Sequence, residues 1–370
     1  MKIGLVTWIG MGNFGTTLQS FALHEKLRRM GHDVYFLNIS SNFSPVRSTI
    51  KYVLRLSGLL KMCWKHKFKA ASPGNGAKLY RFVAANYNIK TPVYPLELRR
   101  LTAKTDVFLT GSDQIWNVKY RFDPMMFLSF AGETKRVAYA SSIGVAAIPQ
   151  EYRGAVSRLL NKFAHIGVRE QSAVKALSEV TGREDITQVA DPTFLLSPAE
   201  WSEICQGATY EVALPGRYML CYLIGNNESY PRQVKDIAEK RGIKNVIVIP
   251  AVENKETNVE GATVYRQAGP AEFVDLIRRA ELVCTDSFHA TALSINLSKD
   301  FIELLRFKDG DETSQNSRIY DLLDQYGLRW RLYTNGSDVP AGQINYTHIQ
   351  EKLKADKARS LQFLIDSIER

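Results

Sequence analysis

The stretch CTDSFHAT, residues 284–291, follows an apolar run and sets Thr285, Asp286 and Ser287 ahead of His289. A histidine in the first turn of a helix can give or take a proton near neutral pH. Ser287 suits the N-cap position, and the free N–H groups of a helix start attract anions. A second turn of the same kind is FLTGSDQIWN, residues 108–117, which brings Ser112 and Asp113 to the end of another apolar run, with Trp116 and Asn117 just beyond. Asp113 fits two roles, a base or a helix cap, and His289 likewise fits a catalytic or a structural role. Arginines complete the set: Arg169 in GVREQS, Arg306 in FIELLRF and Arg318 in SQNSRIYDLL, where Asn316 also lies. Planar guanidinium groups clamp carboxylate and phosphate in bidentate fashion, although each of the three also fits a surface ion pair. The Gly-rich GMGNFGTT, with Gly10, Gly12, Asn13 and Gly15, follows the first apolar run. It allows close backbone approach to a ligand, but its spacing is not GxGxxG, and a tight strand-to-helix turn explains it equally well.

Other chemistries lack residues. The four cysteines, Cys63, Cys205, Cys221 and Cys284, are far apart and form no CxxC pair, so neither a zinc site nor a disulfide framework is expected. No histidine–carboxylate cluster has metal spacing, and no cysteine stands beside an evident base. A reducing, cytoplasmic setting fits this cysteine usage.

The elements that must position these residues alternate strand and helix. MKIGLVTWIG reads as a buried first strand, too short to span a bilayer and without a cleavage site. TLQSFALHEKLRRMG reads as a helix ending at Gly31, and DVYFLNI as the next strand, a βαβ opening that implies a parallel sheet. A chain of 370 residues suggests two domains at about 150 residues each. Alternation breaks off at residues 197–217, which hold two prolines and few periodic apolar positions and read as a linker, and then resumes with RYMLCYLIG. The expected organisation is α/β: two Rossmann-like, doubly wound domains (1–200 and 215–345) facing a cleft, followed by a C-terminal helix (346–370). Ligands of such sheets bind beyond the carboxyl ends of the strands, where all the turns above would lie.

The net charge of +10 is concentrated: between Asp33 and Glu97 there are ten Lys and Arg residues and no acidic one. Within this basic insertion, about 45–75, residues 48–70 can be wound as a helix with Ile50, Val53, Leu54, Leu60, Trp64 and Phe68 near one side and Lys51, Arg55, Lys65 and Lys69 on another. Such a helix either rests on an anionic membrane surface or packs on its own domain. Nucleic acid is not expected, since no recognition motif accompanies the charge.

Six stretches, GNFGTTLQSFAL, TGSDQIWN, VREQSAV, ADPTFLL, TDSFHAT and NSRIYDLL, occur in this order between residue 12 and about residue 325. The ordered set resembles the polysaccharide pyruvyl transferase family. The resemblance implies a GT-B-like pair of domains, the first on the acceptor side and the second on the donor side. It implies transfer of pyruvate from phosphoenolpyruvate, with no other cofactor, to two hydroxyls of a sugar in a bacterial capsule or exopolysaccharide or its lipid-linked precursor, forming a cyclic ketal. His289 would then be the acid and Asp113 the base or acceptor-orienting group. Arg169, Arg306, Arg318, Ser287 and Asn316 would hold the donor, and Asn13, Ser112, Trp116 and Asn117 the acceptor. Many members carry an arginine two positions before the histidine where this chain has Ser287. The three arginines must supply that clamp. The enzyme is expected in the cytoplasm, peripheral at the inner membrane face. A GT-B glycosyltransferase using a nucleotide sugar and a non-catalytic glycan-assembly protein remain alternatives.

Overall fold

The computed structural model describes residues 1–9, 13–39, 45–57, 76–251, 258–307, 314–334 and 337–370. Gly10 and Gly12 of the first turn and residues 58–75 of the basic insertion lie outside them.

Strands β1 (Lys2–Val6), β2 (Asp33–Leu37), β3 (Ile89–Lys90), β4 (Val107–Thr110), β5 (Lys135–Ser141), β6 (His165–Val168) and β7 (Thr187–Gln188) form one sheet in the order β3-β2-β1-β4-β5-β6-β7. A second sheet has the order β10-β9-β8-β11-β12-β13, from β8 (Met219–Tyr222), β9 (Val246–Val248), β10 (Thr263–Val264), β11 (Leu282–Thr285), β12 (Phe301–Leu304) and β13 (Leu332–Tyr333). The strand pairings are parallel, and the central strands are buried almost throughout. Sheets covered on both faces require such apolar runs, and the sequence supplies them. Each sheet reverses its order once, between β1 and β4 and between β8 and β11. These two switch points are where doubly wound sheets open a crevice for ligands.

Helix α1 (Phe14–Arg29) is buried along nearly its whole length because both halves of the chain cover it. Phe14 stacks on Phe273 of the second half at 4.6 Å between ring centroids and meets Tyr222 edge-on at 5.7 Å. One apolar cluster therefore runs from β1 through this interface to the C-terminal helix. Two further clusters fill the outer faces of the two sheets.

Helix α2 (Pro45–Leu56) covers the start of the expected basic helix and gives way to a turn at Ser57. It is tied to helix α3 (Pro95–Thr102), where Arg55 Nη2 lies 2.7 Å from Glu97 Oε1. Ile50 and Val53, placed on the apolar side by their spacing, are nonetheless 54% and 56% exposed.

The stretch read as a linker departs from expectation. Helix α4 (Pro198–Cys205) occupies its first part, started by a capping box in which Ser197 Oγ accepts from Glu200 N and Glu200 Oε2 accepts from Ser197 N at 2.6 Å. Pro198 takes the first helical turn, where its missing N–H costs nothing. Trp201 is buried and donates from Nε1 to Thr193 O at 3.0 Å. A proline that looked like a breaker is thus a helix start. The C-terminal helix, α5 (Thr347–Glu369), returns to the first half, where Ser360 Oγ accepts from Ala190 N at 2.8 Å and Phe363 lies against Tyr139. Among the described residues no helix is long and apolar enough to cross a membrane.

Candidate active site

Residues beyond β4, β6 and β11 meet between the two sheets. Beyond β11, Ser287 caps the helix Phe288–Asn296, accepting from Ala290 N at 3.5 Å, and His289 falls in its first turn. His289 faces the first half of the chain. Its Nε2 lies 3.5 Å from Arg169 Nη1 and 3.7 Å from Asp191 Oδ2. Its Nδ1 faces Gly15 of α1, where a Cβ would come within 2.3 Å of it. Glycine at position 15 is therefore what lets α1 approach the histidine. Burial lowers the pKa of His289, Asp191 and Asp113 raise it, Arg169 and Arg318 lower it, and the net effect is downward.

Asp113 follows β4 with φ of 74°, a left-handed conformation that aspartate tolerates better than most residues. Its Oδ2 accepts from Thr16 Oγ1 of α1 and its Oδ1 from Gln114 N, both at 2.8 Å. No helix begins at Asp113, so it is not a helix cap. Burial alone would raise its pKa. His289, Arg169 and the bond from Thr16 outweigh that, and the carboxyl is held below its usual range.

Arg169 is buried at the end of β6. Nε donates to Glu170 Oε1 at 2.9 Å, Nη1 donates to Asp191 Oδ2 at 3.0 Å, and the guanidinium lies 3.9 Å from the centre of the Phe288 ring. Burial opposes its charge, but Glu170, Asp191 and Asp113 more than compensate. Arg318 lies on the helix Asn316–Gln325 and is buried with less support: Nη2 donates to Gln315 Oε1 at 2.9 Å. Burial, and then repulsion from Arg169 and Arg306, push it down to about 9. Arg306 donates from Nη2 to Asp286 O at 3.3 Å. Each of these arginines keeps one buried N–H without a hydrogen-bond partner: Nη2 of Arg169, and Nε of Arg306 and of Arg318.

The structure thus brings together His289, Asp113, Arg169 and Arg318, with Arg306 within electrostatic reach of Arg318. Other expected residues are occupied elsewhere. Trp116 belongs to the core, stacked on Phe127 at 5.3 Å and donating from Nε1 to Met126 O, so it has no face for a sugar. Ser112 is fully buried, with Oγ donating to Ala140 O at 2.8 Å. Both are corrections to the acceptor set. Asn117 is buried too, its Nδ2 donating to Gln114 Oε1 at 3.0 Å. Asn13 caps α1, with Oδ1 accepting from Thr16 N at 3.3 Å. Asn316 donates from Nδ2 to Phe307 O at 2.9 Å and so fixes the segment that carries Arg306.

Two carboxylates, Asp191 and Glu170, went unmarked in the sequence, and Asp286 was noted there without a role. Asp191 accepts from Arg169, from Ser112 Oγ at 3.3 Å and from Thr193 N at 2.9 Å. Glu170 pairs with Arg169. Asp286 folds the turn after β8, accepting from Ile224 N and Gly225 N at 2.7 Å and from Tyr230 Oη at 2.8 Å. The signal for each was adjacency: Asp191 opens DPTF, Glu170 follows Arg169, and Asp286 precedes Ser287. Among the described residues no group of three or more His, Cys, Asp or Glu could hold a metal ion.

A family model described as polysaccharide pyruvyl transferase matches residues 13–304, which include Asn13, Asp113, Arg169, Asp191 and His289. No curated protein matches the chain. Among solved structures, the UDP-GlcNAc 2-epimerase from Neisseria meningitidis bound to UDP-GlcNAc is 10% identical over 99% of this chain and 100% of that one, with a TM-score of 0.51. The UDP-GlcNAc 2-epimerase from Methanocaldococcus jannaschii, in complex with UDP-GlcNAc and UDP, is 13% identical over 98% and 99%, with a TM-score of 0.49. The likeness to the Neisseria protein is one of fold, and the two-domain Rossmann-like arrangement is GT-B-like.

Proposed function

The chain belongs to the polysaccharide pyruvyl transferase family, and from that premise we propose that it transfers pyruvate from phosphoenolpyruvate to two hydroxyls of one sugar, in a surface polysaccharide or its lipid-linked precursor, closing a cyclic ketal. The observation that carries the donor is the cluster of three arginines, each with one buried nitrogen that makes no hydrogen bond, that of Arg306 lying 3.6 Å from Asp286 Oδ2. A donor bearing both a carboxylate and a phosphate needs fixed positive charge, and charge already in place stabilises a transition state better than charge that must reorganise. The site also lacks the arginine common two positions before the histidine. Ser287 stands there as a helix cap, and Arg318 and Arg306 supply the positive charge from the neighbouring elements.

In this mechanism the methylene carbon of phosphoenolpyruvate takes a proton and becomes the methyl of the product, leaving a cation-like centre at C2. One sugar hydroxyl adds there, inorganic phosphate leaves, and the second hydroxyl closes the ring. His289 is the acid. In the protein alone burial favours its neutral form, and the negative charge of a bound donor favours the imidazolium. Asp113, kept ionised by His289 and Arg169, orients the acceptor hydroxyl or takes its proton. Arg169 has a further role: through Asp191 and Glu170 it holds the floor of the site rigid.

An acceptor built on a lipid diphosphate would lie at the membrane face. The exposed Ile50 and Val53 of α2, beside Lys51 in a stretch without acidic residues, support a peripheral contact there.

The reaction is tested by incubating the protein with phosphoenolpyruvate and lipid-linked glycans extracted from bacterial membranes. One inorganic phosphate should be released for each pyruvylidene group gained by the glycan, read by mass. Consumption of a nucleotide sugar with phosphoenolpyruvate untouched would contradict the assignment.

A further inference from the structure

With Trp116 in the core, the acceptor side of the cleft lacks an apolar surface at the place first expected. The structure offers one three positions from Asn117. Tyr120 is the most exposed large hydrophobic side chain among the described residues, at 68%. Single exposed aromatics are ordinary on protein surfaces, but three features set this one apart. First, it is held in place. Its N–H lies 3.1 Å from Asn117 O and 3.2 Å from Asn117 Oδ1, and its ring meets Trp8 edge-on, with centroids 6.0 Å apart and planes at 62°. Secondly, Trp8 is itself anchored, half-buried against the apolar cluster on the outer face of the first sheet. Thirdly, the pair stands at the switch point: Trp8 follows β1 and Tyr120 follows β4, the adjacent strands between which the sheet order reverses. The same turn reaches the second half of the chain, since Asn117 holds Gln114 and Gln114 donates to Gln315 Oε1 at 2.9 Å.

From this geometry we propose that Trp8 and Tyr120 form the acceptor shelf, on which one pyranose ring of the glycan rests with its C–H face against the Tyr120 ring. A pyranose has an apolar face and a rim of hydroxyls. An aromatic ring with two rotatable bonds buries that face at little entropic cost. A prefixed shelf would leave the rim hydroxyls free to point into the cleft. The ligand class, a sugar, rests on the pyruvyl-transfer function proposed above; the location rests on the aromatic pair alone.

The test is saturation-transfer NMR and calorimetry on the full chain, with methyl β-D-galactopyranoside, methyl β-D-glucopyranoside and methyl N-acetyl-β-D-glucosaminide as probes. Phosphoenolpyruvate is titrated in parallel. At least one glycoside should bind saturably. Tyr120→Ala should weaken it about tenfold or more, Tyr120→Phe should keep it, and phosphoenolpyruvate should bind all three proteins alike. No glycoside binding by the wild type, or equal binding by wild type and Tyr120→Ala, would overturn the shelf. The two proposals fail separately. Glycoside binding that depends on Tyr120, without phosphoenolpyruvate binding, keeps the shelf and removes the donor. Phosphoenolpyruvate binding with glycoside binding indifferent to Tyr120 does the reverse.

Discussion

At His289 opposing influences meet, and their balance makes a prediction. Burial disfavours the imidazolium, the nearby Asp191 and Asp113 favour it, and the result lies below the usual histidine value of about 6.5. A general acid acts in its protonated form, so kcat/KM should fall as pH rises, with a midpoint below about 6.5 for the free enzyme. Asp191→Asn removes one of the groups that favour protonation. The imidazole titration of His289, followed by NMR, should then move to lower pH still, and an upward move would contradict the placement of Asp191. His289→Ala should lower turnover by about 10²–10⁴-fold while circular dichroism and melting temperature stay near wild type; near-normal turnover would remove His289 from the chemistry. Residue types and strand-end positions made His289, Asp113 and Arg169 legible in the sequence. Trp116 and Ser112 were misjudged because the same turn that presents Asp113 folds its neighbours inward, and burial within a turn leaves no periodic trace. Asp191 escaped notice because its partners, Arg169 and His289, are 22 and 98 positions away.

Helices α1 and the one that begins at Phe288 meet at one glycine. A methyl group at Gly15 would come within 2.3 Å of His289 Nδ1. Overpacking of this kind costs about 1–3 kcal/mol, more than the roughly 1 kcal/mol that alanine gains over glycine within a helix. Gly15→Ala should therefore lower both the melting temperature and turnover, and an unchanged pair of values would show that the contact is slack. Both helices were readable beforehand, the second with Ser287 as its cap, whereas the cap of α1 at Asn13 was not. The helix Pro198–Cys205 was not, because prolines and sparse apolar positions masked the capping box of Ser197 and Glu200. Helix α2 gives another element-scale test. The Debye length is about 8 Å at 0.15 M salt, so binding of the protein to vesicles containing anionic lipid should weaken as salt is added. Ile50→Ser with Val53→Ser should weaken it at every salt concentration. Binding indifferent to salt and to both substitutions would exclude this contact.

In the whole molecule the two sheets share one core, and polar contacts close the cleft around it. Ser172 donates from N and Oγ to Asp321 Oδ2 at 3.1 and 2.6 Å, and Gln114 reaches Gln315 across the same gap. The alternation of strands and helices was enough to anticipate two doubly wound sheets and their ligand-binding ends. How the halves face one another was not legible, because Phe14, Phe273 and Tyr222 become partners only when the two sheets are packed. That packing gathers three arginines where repulsion and burial push Arg318 down to about 9, an arrangement that an anion between them would relieve. The central claim is therefore tested most directly by calorimetric titration of phosphoenolpyruvate into the wild type and into Arg318→Gln, with UDP-GlcNAc as the comparison ligand. Saturable phosphoenolpyruvate binding by the wild type is expected, weakened tenfold or more in Arg318→Gln, with a melting temperature no lower in the variant. Equal binding by both proteins, or binding of UDP-GlcNAc in place of phosphoenolpyruvate, would contradict it.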